Sequence, residues 1–344
     1  MATTYTKLLQ IPKHVTTDPF DITLINEMAD KTEAGILAAY RGRAAYNLLD
    51  NSYFLNPVNQ RGQTSYTGSG YTIDRWRTNF SGDTVEVLAG GVTSTVASTT
   101  GGWRLHQIID NGAELVGKSI TAACNASAIT GALYLLISCR NSSDAEIEHA
   151  SQKIAAGLNV TSLTVPSGTV YIRVGVYAFA ASVAIGSSVT LEWVALYEGE
   201  YTAETLPSYV PKGYAAELAE CMRYFYILKS SGSAGYNTLM SGVVTDSGKS
   251  LIVSLETGTK MRLTAPTISF SGTVTVRGIS GYSSDATYSA PYENPVFTVR
   301  SSDGGRMGIE IKKTEGTAWA GLTNNTPICV TFNSGSVLTM TADL

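Results

Sequence analysis

From Tyr46 to Tyr197 this chain keeps a hydrophobic period of 2, and that alternation limits its fold more than any other feature. Apolar and polar residues alternate most clearly at 119–125, 133–139, 170–179 and 189–197, with turn formers such as Pro166-Ser167-Gly168 and Gly186-Ser187 between the runs. Such a period sends every second side chain to one side of an extended strand. In Val170-Tyr171-Ile172-Arg173-Val174-Gly175-Val176 the valines share one face, and Tyr171, Arg173 and Gly175 take the other. Many short strands without intervening helices predict an antiparallel sandwich, most simply a jelly roll. They exclude a βαβ fold, whose crossover helices are missing.

Two other regions flank this one. Within residues 1–45, Ile22, Ile25, Ala29, Thr32, Ile36 and Ala39 recur at spacings of 3, 4, 3, 4 and 3, with Asp18 placed to cap the start and Gly42 to end it. An a/d seam with isoleucine at both kinds of position favours three or four helices over two. The other reading, one amphipathic helix packed on its own domain, stays open. After a bend at 204–211, Tyr214, Leu218, Cys221, Met222 and Phe225 follow a helical period that runs into a strand at 223–228. The rest reads as β, with strands at 250–255, 267–279, 295–299, 307–311, 328–332 and 337–341 and loops rich in Ser, Gly and Tyr. The expected fold is therefore mainly β: a short N-terminal coiled-coil helix in 1–45, a central jelly-roll sandwich in 46–205, and a smaller β-sandwich in 206–344.

Composition narrows the partners. Lys and Arg number 24 against 28 Asp and Glu, a formal charge of −4 with no basic cluster, so nucleic acid is not an expected partner. No run approaches the roughly 18 apolar residues of a membrane span, so no membrane insertion is expected. Cys124, Cys139, Cys221 and Cys329 are widely spaced, without a CxxC pair, and read as buried thiols. The first residues lack the apolar core of a secretory signal. With only 15% charged residues the surface looks extracellular, which fits a particle component assembled in a bacterial cytoplasm and released by lysis.

Several short motifs carry a resemblance. Asn47-Leu48-Leu49-Asp50-Asn51-Ser52, Asn56-Pro57-Val58-Asn59-Gln60-Arg61-Gly62 and Tyr71-Thr72-Ile73-Asp74-Arg75-Trp76 resemble the opening of the carbohydrate-binding-module-like jelly roll of bacteriophage tail fibre proteins. Leu191-Glu192-Trp193, Tyr209-Val210-Pro211 and the stretch from Glu217 to Phe225 continue the likeness, as do Met261-Arg262 and Ala265-Pro266-Thr267, with departures at Met222 and Lys260. The resemblance implies a receptor-binding fibre of the virion tail: an N-terminal piece attached to the tail or baseplate, a middle jelly roll and a distal tip. It also implies a homotrimer, in agreement with the isoleucine seam. Trimerisation converts weak single-site binding to bacterial cell-surface polysaccharide into avidity.

Residues for chemistry are few. The histidines are His14, His106 and His149, and no GxSxG, HExxH or P-loop is present. Asp144, Glu146 and Glu148, ending at His149, alternate, so in a strand they would share a face suited to acid/base work or a cation. A solvated loop after Arg140-Asn141-Ser142-Ser143 is the expected alternative. Sugar binding asks for aromatic rings beside amides, carboxylates and Arg. The candidates are Trp103 and Arg104 after Gly101-Gly102, Trp319 in the glycine-bounded 316–321, and Tyr282 and Tyr292 around an apical loop at 283–291, while Trp76 and Trp193 read as core. No cofactor is expected. A structural calcium would fall to Asp50 or Asp74. The leading expectation is a non-enzymatic, glycan-binding tail protein, with a glycan depolymerase and a purely structural connector as alternatives.

Overall fold

A computed structural model describes residues 3–5, 12–14, 22–41, 46–230, 239–263, 266–278, 291–303 and 305–342. The fold is mainly β, with sandwich-like sheets and two helices among the described residues. Strands β1 (Thr3–Tyr5) and β2 (Pro12–His14) pair antiparallel, and the expected N-terminal helix is present as α1 (Ile22–Arg41). The two helix-capping positions proposed from the sequence, Asp18 and Gly42, lie outside the described residues.

Contacts divide the chain into two compact units. The first comprises the described residues up to Asn56 together with Thr64–Gly70 and Trp76–Lys212; the second takes Pro57–Gln63, Tyr71–Arg75 and everything described from Gly213 onward. This differs from the expected division into 1–45, 46–205 and 206–344. Two short stretches of the presumed jelly roll belong to the C-terminal unit, and the N-terminal helix groups with the first.

The first region supplies β3 (Ser65–Thr67), the two-residue β4 (Gly70–Tyr71), β5 (Arg77–Thr78), β6 (Thr84–Leu88), β7 (Gly91–Thr95), β8 (Gly102–Ile109), β9 (Ser119–Thr130), β10 (Tyr134–Arg140), β11 (Glu146–Lys153), β12 (Gly157–Thr164), β13 (Tyr171–Ala178) and β14 (Ser188–Glu198). One sheet contains, in order, β11-β10-β13-β8-β5, and the other runs β12-β9-β14-β7-β6-β3, all neighbours antiparallel. Leu135, Ile137 and Cys139 of β10, Ile172, Val174 and Val176 of β13 and Leu105 of β8 are buried, as are Ala122, Cys124, Val194 and Leu196 of the other sheet. Each large apolar side chain buried this way stabilises by about 1.5–3 kcal/mol.

Polar residues of the first motif brace this core. Asn47 Oδ1 accepts from the backbone N–H of Leu49 and of Leu196, and its Nδ2 donates to Ser52 Oγ at 2.7 Å. Trp76 is buried, with its indole N–H donating to the Asn51 carbonyl at 2.9 Å. Arg104 is also fully buried: Nη1 bonds both Asp83 carboxylate oxygens, Nη2 reaches the Ser98 and Thr100 carbonyls, and the guanidinium lies 4.0 Å from the Phe80 ring.

The second unit holds α2 (Tyr214–Cys221), β15 (Phe225–Lys229), β16 (Leu239–Thr245), β17 (Ser250–Glu256), β18 (Thr267–Ser271), β19 (Thr273–Gly278), β20 (Tyr292–Glu293), β21 (Val296–Asp303), β22 (Arg306–Lys312), β23 (Pro327–Phe332) and β24 (Val337–Thr341). Its sheets run β15-β24-β18 and β20-β19-β23-β16-β17-β22-β21. Met240, Val253, Met307, Ile309, Trp319, Val330, Phe332 and Leu338 belong to its core. The single strand expected at 267–279 is two, one in each sheet. Gly272 breaks it: its φ is +118°, and a Cβ there would meet Ser336 Oγ at 2.5 Å.

The borrowed stretches are fixed to this unit by two guanidinium stacks. Arg61 Nη1 bonds Asp74 Oδ1 at 2.9 Å while its Cζ lies 3.8 Å over the Phe225 ring, and Gln60 Nε2 donates to the Phe225 carbonyl at 2.7 Å. Arg75 has a left-handed φ of +70°, a cost of about 1–2 kcal/mol, and its Cζ sits 3.3 Å over the Tyr224 ring. Burial pushes the Asp74 carboxyl up to about 6, against the lowering effect of the Gln60 hydrogen bonds and the Arg61 charge.

Candidate functional site

Alternation in β10 and β13 turns one set of side chains to the core and leaves a second face that carries aromatic and charged residues at its two ends, with Leu136, Ser138 and Gly175 buried between them. The register sets it out in rows: Arg140 with Tyr171 and Glu146, Ser138 with Arg173 and His149, Leu136 with Gly175 and Ser151, Tyr134 with Tyr177 and Lys153. β8 extends the rows with Ile108 beside Arg173, His106 beside Gly175 and Trp103 beside Tyr177, and Arg77 of β5 pairs with His106. Trp103 and His106 share the face because the β8 register slips between Val176 and Tyr177, leaving Arg104 as an extra residue turned to Asp83.

At one end of the face the aromatic rings form a connected platform. Tyr177 meets Phe179 with centroids 4.9 Å apart, Tyr134 meets Phe179 at 4.8 Å, and both contacts are edge-on. Beneath Tyr177, Trp103 lies at 5.4 Å and continues to His106 at 5.0 Å. Tyr134, Tyr177 and Phe179 are partly exposed, whereas Trp103 and His106 are buried.

The other end is a charged array built on a turn. Asn141 Oδ1 accepts from the backbone N–H of Ser143 and Ala145, which lets Asp144 adopt a left-handed φ of +64° and aim its carboxylate at β13. There it accepts from Arg173 Nη2 at 2.9 Å and from the Tyr171 hydroxyl. Glu146 accepts from Ser138 Oγ at 2.6 Å and Arg140 Nη2 at 3.3 Å, and contacts His149 Nδ1 at 2.9 Å. Burial raises both carboxyls, but it is outweighed for Asp144 by Tyr171, Arg173 and Arg140 and for Glu146 by Ser138, His149 and Arg140, so both lie below the ordinary range. The expected solvated loop holds for Asp144, which lies in the exposed turn after Arg140, whereas Glu146 and Glu148, also exposed, start an edge strand, and Glu148 falls opposite Cys139, out of the Glu146 row.

Between platform and array β8 and β13 pack closely at Gly175, where a Cβ would meet the Leu105 carbonyl oxygen at 2.2 Å and the His106 Cα at 2.7 Å. Three buried nitrogens of β8 and β13, Arg173 Nε, His106 Nδ1 and Trp103 Nε1, meet no hydrogen-bond partner among the described residues. Burial, then the guanidinium charges of Arg173 and Arg77, hold the His106 pKa well below 6.5, so its ring is neutral at pH 7.

No protein-family model matches this chain, and no curated protein matches it. Among solved structures it is similar to the enzymatically active domain of bacteriophage CBA120 tailspike protein 4, at 15% identity and a TM-score of 0.26, over 44% of this chain and 21% of that one. It is also similar to the N-terminal CBM22-1-CBM22-2 tandem domain of Paenibacillus barcinonensis Xyn10C, at 10% identity and a TM-score of 0.28, over 87% of this chain and 97% of that one. The chain spans about a fifth of the tailspike domain. Likenesses this slight transfer neither fold nor function.

The sequence candidates fare unevenly. Trp103 is 2% exposed on a strand, not at a loop edge, so it underlies the face instead of presenting its ring to a ligand. Arg104 is a core ion-pair residue, and Trp319 is 1% exposed, held in the second unit's core against Tyr292. None of these three is a surface contact. Tyr292 is partly exposed and bonds Glu315 and the Thr314 N–H; Tyr282 lies outside the described residues. On α1, Ala29 is buried, Thr32 is exposed and bonds the Met28 carbonyl, and Ile36 is 38% exposed; the side chains of Ile22, Ile25 and Ala39 lie outside the described residues. Asp50 pairs with Lys212, and Asp74 with Arg61. Among the described residues no group of three or more His, Cys, Asp or Glu is arranged for a metal ion, and no helix is long and apolar enough to cross a membrane. Tyr134, Tyr177 and Phe179 were not anticipated, although extending the Tyr171, Arg173, Gly175 parity by two residues reaches Tyr177.

Proposed function

We propose that this chain is a glycan-binding, non-enzymatic receptor-recognition subunit of a phage tail or tail-like particle, and that the β10-β13 face of its first unit is the binding surface. The observation that carries the reading is the platform of Tyr134, Tyr177 and Phe179 beside the Arg140–Glu146 and Arg173–Asp144 pairs. Apolar ring surface for sugar C–H groups and fixed polar groups for hydroxyls are what a flat, water-exposed carbohydrate site needs. Acid catalysis would ask for a carboxyl held protonated near neutrality, and Asp144 and Glu146 are shifted the opposite way. The tail assignment rests on the motif resemblance, and trimerisation on the α1 seam, whose Ile36 stays 38% exposed in one chain.

The test is binding of fluorescently labelled protein to bacterial cells and extracted wall glycans, with mass from light scattering. Saturable, sugar-competed binding that Tyr134→Ala and Tyr177→Ala weaken supports the proposal. Binding to no surface, or binding indifferent to both substitutions, overturns the assigned face. Release of reducing ends from a bound polysaccharide replaces adhesion with depolymerisation.

A further inference from the structure

The two ends of the face lie too far apart for one sugar ring to reach both. Tyr134 and Arg140 are six residues apart on β10, about 20 Å at the rise of an antiparallel strand. Between them Leu136, Ser138 and Gly175 are buried, so the centre of the sheet offers a ligand little to hold. The exposed polar side chains that connect the ends lie on β11 instead. Lys153, Ser151 and His149 stand opposite Tyr134, Leu136 and Ser138, so they share the side of the sheet that carries the rings, and all three are exposed. β11 is the outermost strand, with no further strand beyond it in its sheet. Apolar surface continues along it: Phe179, which meets Tyr134 at 4.8 Å, also lies 6.4 Å from the His149 ring. Among the described residues the Lys153 ammonium has no hydrogen-bond or ion-pair partner, and His149 is held through Nδ1 alone, which leaves its second ring nitrogen for a ligand.

We infer that the ligand is a linear polysaccharide read over several consecutive sugars, its chain lying along β11 from the Tyr134–Tyr177 platform toward the Arg140–Glu146 pair. This inference rests on the sheet face being the glycan site. One sugar stacks on the rings beside Lys153, and the following ones meet Ser151 and His149 in turn. These side chains recur at every second residue, about 7 Å along the strand, which gives an extended chain a new contact at each step. A donor-only ammonium, a hydroxyl that both donates and accepts, and an imidazole nitrogen match the mixed donors and acceptors of sugar hydroxyls. A site of this form gains affinity with chain length and has little for a single terminal sugar.

The experiment takes wall polysaccharide from the cells that the whole protein binds, cuts it by partial acid hydrolysis and titrates size-separated fragments, from single sugars to hexamers, into the protein by calorimetry. Affinity per chain that rises about tenfold or more between the dimer and the longest fragments is the expected result, and His149→Ala and Ser151→Ala should each flatten that rise. Both side chains are exposed, so melting should stay within a few degrees of the wild type. Equal affinity for single sugars and long fragments, lost in Tyr134→Ala, overturns the chain reading and keeps the glycan face. A rise with length that persists when His149→Ala, Ser151→Ala and Lys153→Ala are combined overturns the path along β11. Binding confined to the intact polysaccharide overturns a site of this length. Binding to no cells, or binding that survives both Tyr134→Ala and Tyr177→Ala, overturns the glycan face itself and the chain reading with it.

Discussion

Trp103 and His106 stand on the same face of β8 with their rings 5.0 Å apart, although three positions in a regular strand would point opposite ways. The extra residue between them, Arg104, makes this possible by turning to Asp83. One irregularity therefore serves both sides of the sheet, placing a buried ion pair on one and an indole–imidazole floor on the other.

Arg104→Met strands the Asp83 carboxylate in an apolar setting and should destabilise the protein by about 3–5 kcal/mol, because a lone buried charge costs far more than a missing pair. Arg104→Met combined with Asp83→Leu should recover most of that loss. Urea denaturation of the three proteins checks it, and a double variant no better than the single one would show that the pair is not the cause.

Tyr134→Ala and Tyr177→Ala should each reduce glycan affinity by roughly tenfold, the size of one lost ring contact of about 1.4 kcal/mol. Both rings are partly exposed, so the fold should survive. Affinity and circular dichroism measured together separate lost contact from lost structure.

A fragment comprising residues 206–344 should melt well below the second unit of the whole chain. It lacks Arg61 and Arg75, and so leaves the Phe225 and Tyr224 rings uncovered. Adding a peptide of residues 56–76 should raise its melting temperature. Equal stability of fragment and whole-chain unit would show that the two stacks are incidental.

Acid should weaken the first unit through His106. The folded pKa lies below the unfolded value of 6.5, so the unfolded state takes up more protons as pH falls, and stability declines below about pH 6.5. Asp74 acts with the opposite sign in the second unit: its folded pKa of about 6 is above the unfolded value, so its contribution improves as pH falls through 6. Melting of the wild type and of His106→Gln between pH 7 and 5 should show a shallower acid loss in the variant.

Ile36→Asp should convert a trimer to single chains in light scattering, since the substitution puts charge into an a/d seam. A wild type that is already monomeric would refute the seam.

The strands were legible because period 2 is a local property: 170–179 and 337–341 are read from neighbours alone. Which side of a strand is covered is not local, and this is why Trp103 and Trp319, both set among glycines, read as exposed loop residues and proved to be core. Arg104 read as a sugar contact for a similar reason, since its partner Asp83 lies 21 residues away and no spacing rule links them. The site was half legible. The Tyr171, Arg173, Gly175 face follows from alternation, but Tyr134 joins it only through the β10–β13 register. Asp144 joins through a turn set by one asparagine side chain.

The stacks of Arg61 on Phe225 and Arg75 on Tyr224 also bear on how such a chain can be recombined. Because residues 57–63 and 71–75 precede most of the first unit yet pack in the second, the two units are not consecutive cassettes in the gene. A crossover anywhere between codons 76 and 212 brings in a foreign C-terminal half against the recipient's own arginines. Exchanges that keep function should therefore cluster where donor and recipient agree at positions 57–75, and a new C-terminal half is inherited cleanly only together with that short upstream segment.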